Sequence, residues 1–412
     1  MKVAYYSPLP PERSGIADYS ALLLPALRER VAVEAVRRGR TRRPRGVDLS
    51  VYHIGNNPEA HGWIVDALGR TPGLVVLHDF VLHHLIAGLT VGRGNGHAYL
   101  DAMEREAGVV GRLLAHGVLD KRIPPLWESR PEDFHLAGEV LQRATGLVVH
   151  SQYVRQRARA AGYERSISLV PHPAFPVPAL VAAGVSGDPL IGAFGNVNAS
   201  KRVPQLLEAF TVLRRIRPGA RLLLVGPVSP GFDLDRRLQR LGVDREGIGH
   251  EGWVDEERLW SLMAACDVHV NLRSPTMGET SGTAIRALAL GKPLVVSGTG
   301  WFDELPDDVA LKVPLGEDEV ATLAAALELL ATRPDVRAAM GDAARALAAT
   351  AHDLSHVADL YVAAFERAVG GGVVDDAVLR EVSGAAAEVG IAPGSPEARE
   401  IARRLAEVDL GG

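Results

Sequence analysis

The segment Gly278-Glu279-Thr280-Ser281-Gly282-Thr283-Ala284-Ile285-Arg286-Ala287-Leu288-Ala289-Leu290-Gly291-Lys292-Pro293, continued by Leu294-Val295-Val296-Ser297, decides how this chain is read. A loop of small residues opens a helix-forming run, Gly291 and Pro293 end it, and a short apolar strand follows. Loop, helix, turn and strand in that order make half of a β-α-β unit, whose strands pair in parallel. The helix start aims unpaired backbone N–H groups, at the positive end of the dipole, toward a concave site that suits a phosphate. A carboxylate would repel that phosphate, so Glu279 is expected to receive sugar hydroxyls. A site for both groups is a nucleotide-sugar site.

The same alternation runs outward in both directions. Strands are expected at 3–6, 31–36, 49–53, 74–78, 146–150 and 167–170, and again at 190–194, 221–225, 248–251, 268–271 and 294–297. Helical patterns fall between them, for example at 204–215, 255–265 and 282–290, and another follows at 317–332. The Pro- and Ala-rich stretch 171–189 reads as a linker. The expected class is α/β, with two doubly wound halves facing across a cleft, because ligands of such sheets sit beyond the carboxyl ends of the strands. We divide the chain into a first domain at 1–180, a second at 188–350 and a tail at 370–412. A helix at about 354–369 crosses back to the first domain, carried by Val357, Leu360, Tyr361 and Phe365.

Composition narrows the function. A length of 412 residues suits two cores rather than one. Cys266 is the only cysteine, which excludes an internal disulfide and a Cys-rich zinc site. The net charge of -5 argues against nucleic acid as the main partner. No stretch has the roughly 18 uninterrupted apolar residues of a membrane span, and Met1-Lys2-Val3-Ala4-Tyr5-Tyr6 reads as a strand, so the expected location is cytoplasmic. One charge run departs from the average: Arg37, Arg38, Arg40, Arg42, Arg43 and Arg45. It is either a solvated connection between strands or a peripheral contact with an anionic membrane at its inner face. Residues 81–118 add apolar and basic positions that suit a partly amphipathic surface.

Several loops carry chemistry. Ser7 to Tyr19 follows the first strand, with Gly15 for close backbone approach and Arg13 for an anion. His78-Asp79 ends one strand and His53 its neighbour. His83 and His84 follow on a helix, read as structural because their spacing is not that of a zinc helix. In Gly195-Asn196-Val197-Asn198-Ala199-Ser200-Lys201-Arg202 two cations sit at a helix start, against the dipole, a conflict a bound diphosphate would relieve. Asp233-Leu234-Asp235 reads as a helix start rather than a metal site.

Taken in order, these loops resemble the retaining glycosyltransferases of family 4, of the two-domain GT-B fold, over about residues 1–370. The Gly15 loop, His78-Asp79, the loop around Lys201, Leu223-Leu224-Val225-Gly226-Pro227, Gly252-Trp253-Val254 and Gly291-Lys292-Pro293 carry the resemblance. It implies an acceptor in the first domain, held by variable loops expected at 81–135, a UDP- or GDP-linked sugar in the second, and transfer without a cofactor or metal. It assigns Gly15, Ser281, Gly282 and Thr283 to the donor phosphates, and His78 to the neighbourhood of the transferred sugar. Lys201, helped by Arg202, would meet the departing diphosphate, and Trp253 and Val254 the base. This chain departs from the family in two places. Asn196 stands where the family has Arg. The two family glutamates, with seven residues between them, fall on Gly278 and Arg286, so Glu279 is offset by one and Arg286 replaces the ribose acceptor. A sugar-nucleotide epimerase or hydrolase, and a catalytically degenerate partner protein, remain as alternatives.

Overall fold

The computed structural model describes residues 1–12, 14–242, 247–371, 381–392 and 394–407. Among the described residues, twelve strands form two six-stranded sheets. The first holds β1 (Lys2–Tyr6), β2 (Ala32–Ala35), β3 (Leu49–Ile54), β4 (Gly73–Leu77), β5 (Ala144–Val149) and β6 (Ile167–Leu169) in the order β2-β1-β3-β4-β5-β6. The second holds β7 (Leu190–Phe194), β8 (Arg221–Val225), β9 (Ile248–Glu251), β10 (Val268–Asn271), β11 (Leu294–Ser297) and β12 (Ala310–Val313) in the order β12-β11-β10-β7-β8-β9. Every pair is parallel. Apolar side chains cover both faces of each sheet, which explains why the strands read as unbroken apolar runs rather than as alternating ones. Winding reverses between β1 and β3 in one sheet and between β7 and β10 in the other. Ligands bind at such reversal points in doubly wound sheets.

Three differences from the sequence reading have local causes. Strand β12 was not expected: it is an edge strand of four residues, and Lys312, paired to Asp307 at 2.9 Å, breaks its apolar run. Helix Pro334–Ala349 was missed because its Ala-rich stretch carries no sharp apolar stripe. The segment 81–135, expected to be loops for an acceptor, is largely helical. His83–Thr90 and Gly96–Leu119 pack around Tyr99, Met103 and Leu126, and the longer helix kinks at Ala107 and Gly108.

Helix Leu354–Glu366 lies on the first sheet and completes its core with Val357, Tyr361 and Phe365. Each of these buried side chains contributes about 1.5–3 kcal/mol. The Tyr361 hydroxyl is 2.6 Å from that of Tyr19 on helix Gly15–Arg28. In the tail, Pro396–Glu407 is helical. Among the described residues no helix is long and apolar enough to cross a membrane.

The sheets meet through their carboxyl-end loops. Phe80 N and Val81 N both donate to Met277 O, at 2.7 and 3.0 Å. The Glu304 carboxylate accepts from Gln152 N and Tyr153 N, at 3.0 and 2.6 Å, and so caps helix Gln152–Ala160 across the cleft. Gly278 is required at this seam. Its φ is +84°, and a Cβ there would stand 2.9 Å from Phe80 Cβ. That contact explains the offset seen in the sequence: a glutamate at 278 would drive into the opposite domain, and the carboxylate falls on 279.

Candidate active site

Four charged side chains meet where the two sheets face each other. Lys201 is presented by a turn after β7, in which Asn198 Oδ1 accepts from Lys201 N and from Ser200 Oγ, both at 2.9 Å. Arg273 follows β10 and is buried, its guanidinium 4.7 Å from the Phe302 ring centroid. Nη1 of Arg273 is ion-paired to Glu279, and its backbone N–H donates to Ser297 Oγ at 3.0 Å. Asp79 enters from the first domain, where its Oδ2 accepts from Asn56 N at 2.7 Å. Loss of water and the neighbouring Arg273 charge bring the Lys201 ammonium down to about 7, although Glu279 and Asp79 pull the other way. Burial and the Glu279 charge push Asp79 up. Burial opposes ionisation of Glu279, but Arg273 and Lys201 outweigh it and hold its carboxyl below the usual range. The free site is therefore short of solvation for its cations, and an anion placed there would relieve it.

The helix start lies beside this group. Ser281 caps helix Gly282–Ala289, its side chain accepting from Ala284 N. Asn271, at the end of β10, donates to Ser281 Oγ at 2.9 Å and to Thr283 Oγ1 at 2.8 Å. Those bonds fix the loop and leave the first-turn amides of Gly282 and Thr283 without intrahelical acceptors. The reversal point between β7 and β10 opens into a small concavity where Gly195, Asn196, Lys201 and Asn271 stand over apolar side chains such as Val203 and Leu206. From the other sheet, Gly15 begins its helix after the Ser14 cap, and a Cβ there would meet nothing within 4 Å. Its own domain does not demand glycine at that position. Arg13 lies outside the described residues.

His78 follows directly on β4, among aromatic rings. Its Nε2 is 2.9 Å from His53 Nδ1, and Tyr19 stands edge-on at 4.8 Å. Burial holds both imidazoles below their ordinary value, hence neutral. His83 Nε2 bonds the Tyr99 hydroxyl at 2.9 Å within the helical cluster, and His84 Nδ1 faces Asn56 O at 3.3 Å. Among the described residues no group of three or more His, Cys, Asp or Glu is placed to hold a metal ion.

Four of the expected site residues have partners of their own in the structure. The Arg202 guanidinium, expected to help at the diphosphate, makes a two-pronged ion pair with the buried Glu319, which neutralises it at the helix start. Glu279, expected to receive sugar hydroxyls, already has three partners in the second domain. Its oxygens are engaged by Arg273, by Met277 N at 2.8 Å and by Thr276 Oγ1 at 3.3 Å, so it orders the loop. Val254 packs its side chain toward the core of the second domain, while Trp253 is 61% exposed. Arg286 is buried, 3.7 Å over the Phe175 ring, with Nη2 3.5 Å from Glu256 Oε1 and Nη1 3.5 Å from Gly282 O. Asp18 on the opposite domain lies within electrostatic range of Arg286. Asp233 caps helix Leu234–Leu241 through Arg236 N. Of the arginine run, Arg38 pairs with Glu12 at 2.9 Å and Arg40 with Glu34 at 3.5 Å, while Arg40, Arg42, Arg43 and Arg45 line an open concavity.

Sequence reasoning missed Arg273 altogether and gave Asp79 no role of its own. Both lie just past the carboxyl ends of strands, β4 and β10, and that position was the available signal.

Residues 188–333 match the family model described as Glycosyl transferases group 1. The curated D-inositol 3-phosphate glycosyltransferase of Saccharomonospora viridis is 31% identical over 180 residues, and the chain spans 40% of that relative's length, using 40% of its own. Anabaena HepE, solved in complex with UDP and glucose, superposes with a TM-score of 0.59 at 16% identity, over 89% of this chain and 99% of that one. Sucrose-phosphate synthase of Thermosynechococcus elongatus does so with a TM-score of 0.59 at 17% identity, over 89% and 98%. Two parallel-sheet Rossmann-like domains joined through their carboxyl-end loops give the chain the GT-B fold, and its second domain, over residues 188–333, is similar to glycosyl transferases group 1.

Proposed function

We propose that this chain transfers a sugar, with retention of anomeric configuration and without a metal, from a nucleoside diphosphate sugar to an acceptor held by the first domain. The observation that carries the reading is the placement of Lys201, half-buried where the two sheets face each other, in one concavity with Asn271, which holds the Ser281 helix start. Arg273 and the amides of Gly282 and Thr283 add positive potential from the same domain. When the bond from the anomeric carbon to the diphosphate oxygen breaks, its electron pair stays on that oxygen. Preorganised cations and peptide dipoles then stabilise the added charge, usually the largest single catalytic contribution. The acceptor hydroxyl oxygen takes the carbon and its proton passes to the departing phosphate. The solved HepE complex, which contains UDP, supports a uridine donor; a guanosine donor is the other candidate.

The test is a transfer assay with a panel of UDP- and GDP-linked sugars and hydroxyl acceptors, following the anomeric proton of the product by NMR. Acceptor-dependent release of nucleoside diphosphate with an α product from an α donor is expected. Release without acceptor would instead indicate a hydrolase or epimerase, and no binding of any donor a degenerate partner.

The site also fixes a pH dependence. Lys201 titrates near 7 in the free protein. A diphosphate beside it raises that value toward the ordinary lysine range, so binding takes up a proton. Donor affinity should fall as pH rises above about 7, by up to roughly tenfold per pH unit, until the bound-state value is reached. Calorimetry with UDP at pH 8.5, in buffers of different ionisation enthalpy, should read close to one proton taken up. No uptake would remove Lys201 from the diphosphate.

We propose in addition that the Arg37–Arg45 run meets an anionic membrane surface. It is supported by Arg37, Arg42 and Arg45, which have no acidic partner among the described residues. Val109, Val110 and Leu113 are exposed apolar side chains of the same domain. Cosedimentation with anionic but not zwitterionic vesicles is expected, and equal recovery with both would end this idea.

A further inference from the structure

His53 is fully buried on β3, and no step of the proposed transfer uses it directly. Its Nδ1 lies 2.9 Å from His78 Nε2, and two neutral rings at that distance share one proton between those atoms. Either His53 donates or His78 does. The choice is decided at the far side of the His53 ring, where Nε2 is buried and has no hydrogen-bond partner. If His78 donated, His53 would carry its proton on Nε2 and bury an orphan N–H. If His53 donates, Nε2 is a bare lone pair. A buried orphan donor is the rarer arrangement. The flanking tyrosines do not stand edge-on to it: Tyr5 is tilted 38° from the His53 plane at 4.3 Å, Tyr19 51° at 6.0 Å and Tyr361 27° at 6.3 Å, so none has the perpendicular arrangement of an N–H donating to a ring face.

We propose that His53 is a positioning residue: its Nδ1–H donates to His78 Nε2 and so locks His78 in the tautomer that carries its proton on Nδ1. That nitrogen has no protein partner among the described residues, and it belongs to a residue that keeps 8% of its surface exposed at the carboxyl end of β4. His78 therefore offers the cleft a hydrogen-bond donor, suited to a sugar hydroxyl oxygen or a phosphate oxygen. Without His53 the ring is free to present a lone pair instead. The consequence for turnover rests on the transfer reaction proposed above; the tautomer does not.

The experiment is nitrogen-15 NMR of histidine-labelled protein, with no substrate present, on wild type, His53→Asn and His53→Leu. Asparagine can place an amide N–H where Nδ1 was; leucine cannot. His78 protonated on Nδ1 in wild type and in His53→Asn, with loss of that preference in His53→Leu, is expected. In the transfer assay His53→Leu should lower kcat about tenfold, the value of one hydrogen bond, with a smaller change in KM, and His53→Asn should recover most of it. A wild-type His78 protonated on Nε2, or His53→Leu with an unchanged tautomer, overturns the proposal. Because the tautomer is read without substrate, the His53–His78 assignment stands or falls independently of the transfer reaction.

Discussion

Lys201→Ala is expected to lower kcat/KM by about 10²–10³, the loss seen when one preorganised donor is removed from the charge developing in a transition state. Most of the loss should fall on kcat, because the leaving diphosphate carries more charge in the transition state than in the bound donor. The variant should fold normally. In the ligand-free protein Lys201 is a cation held in a place that disfavours its charge, chiefly by loss of water and then by Arg273. Removing it relieves a cost, so thermal unfolding without donor should show an unchanged or slightly raised melting temperature. The stabilisation that UDP confers on wild type should shrink in the same experiment. Arg202→Ala, one residue along, is the contrast. Its guanidinium is spent on Glu319, so that variant strands a buried carboxylate and should lose stability more than turnover. Unchanged kinetics for Lys201→Ala would end the reading of this cleft as a diphosphate site.

Arg273→Met should cost the fold about 3 kcal/mol, the lower end for breaking a buried ion pair, since Glu279 keeps some access to water. In a domain of this size that is a fall of roughly 6–12 °C in melting temperature. The loss arises at three points. Glu279 is left without the partner that outweighs its burial, the loop 274–280 loses its anchor to β10, and Met277 O is no longer held for Phe80 and Val81 across the seam. Glu279→Gln in the same chain should restore part of the loss, because the uncompensated charge is then gone. The double-mutant cycle measured by urea unfolding isolates that coupling. If Arg273→Met melts within about 2 °C of wild type, the pair contributes nothing and the seam is held by its backbone bonds alone.

Much of the architecture is local information. Short apolar runs separated by helical periods state that the sheets are parallel and covered on both faces. Small residues before a helix-forming run state where amides are left unpaired. Pro and Gly mark the ends. For that reason eleven of the strand positions and the helix start at Ser281–Thr283 could be read from order and composition. The exceptions, β12 and helix Pro334–Ala349, are the elements whose periodicity is short or diluted by alanine.

The charges followed another rule. Nothing near Arg202 in the sequence announces Glu319, 117 residues away, and nothing near Gly278 announces Phe80 pressing on it from the other domain. Glu279 looked free until Arg273 was seen to occupy it, and His53 and His78 became a pair only when β3 and β4 lay side by side. The pattern of the chain sets which backbone groups lie at the cleft, since hydrogen bonding within a helix or strand depends on near neighbours. Which side chains remain charged, paired or stripped of water is set by everything packed around them, and that is decided when the two sheets close on each other.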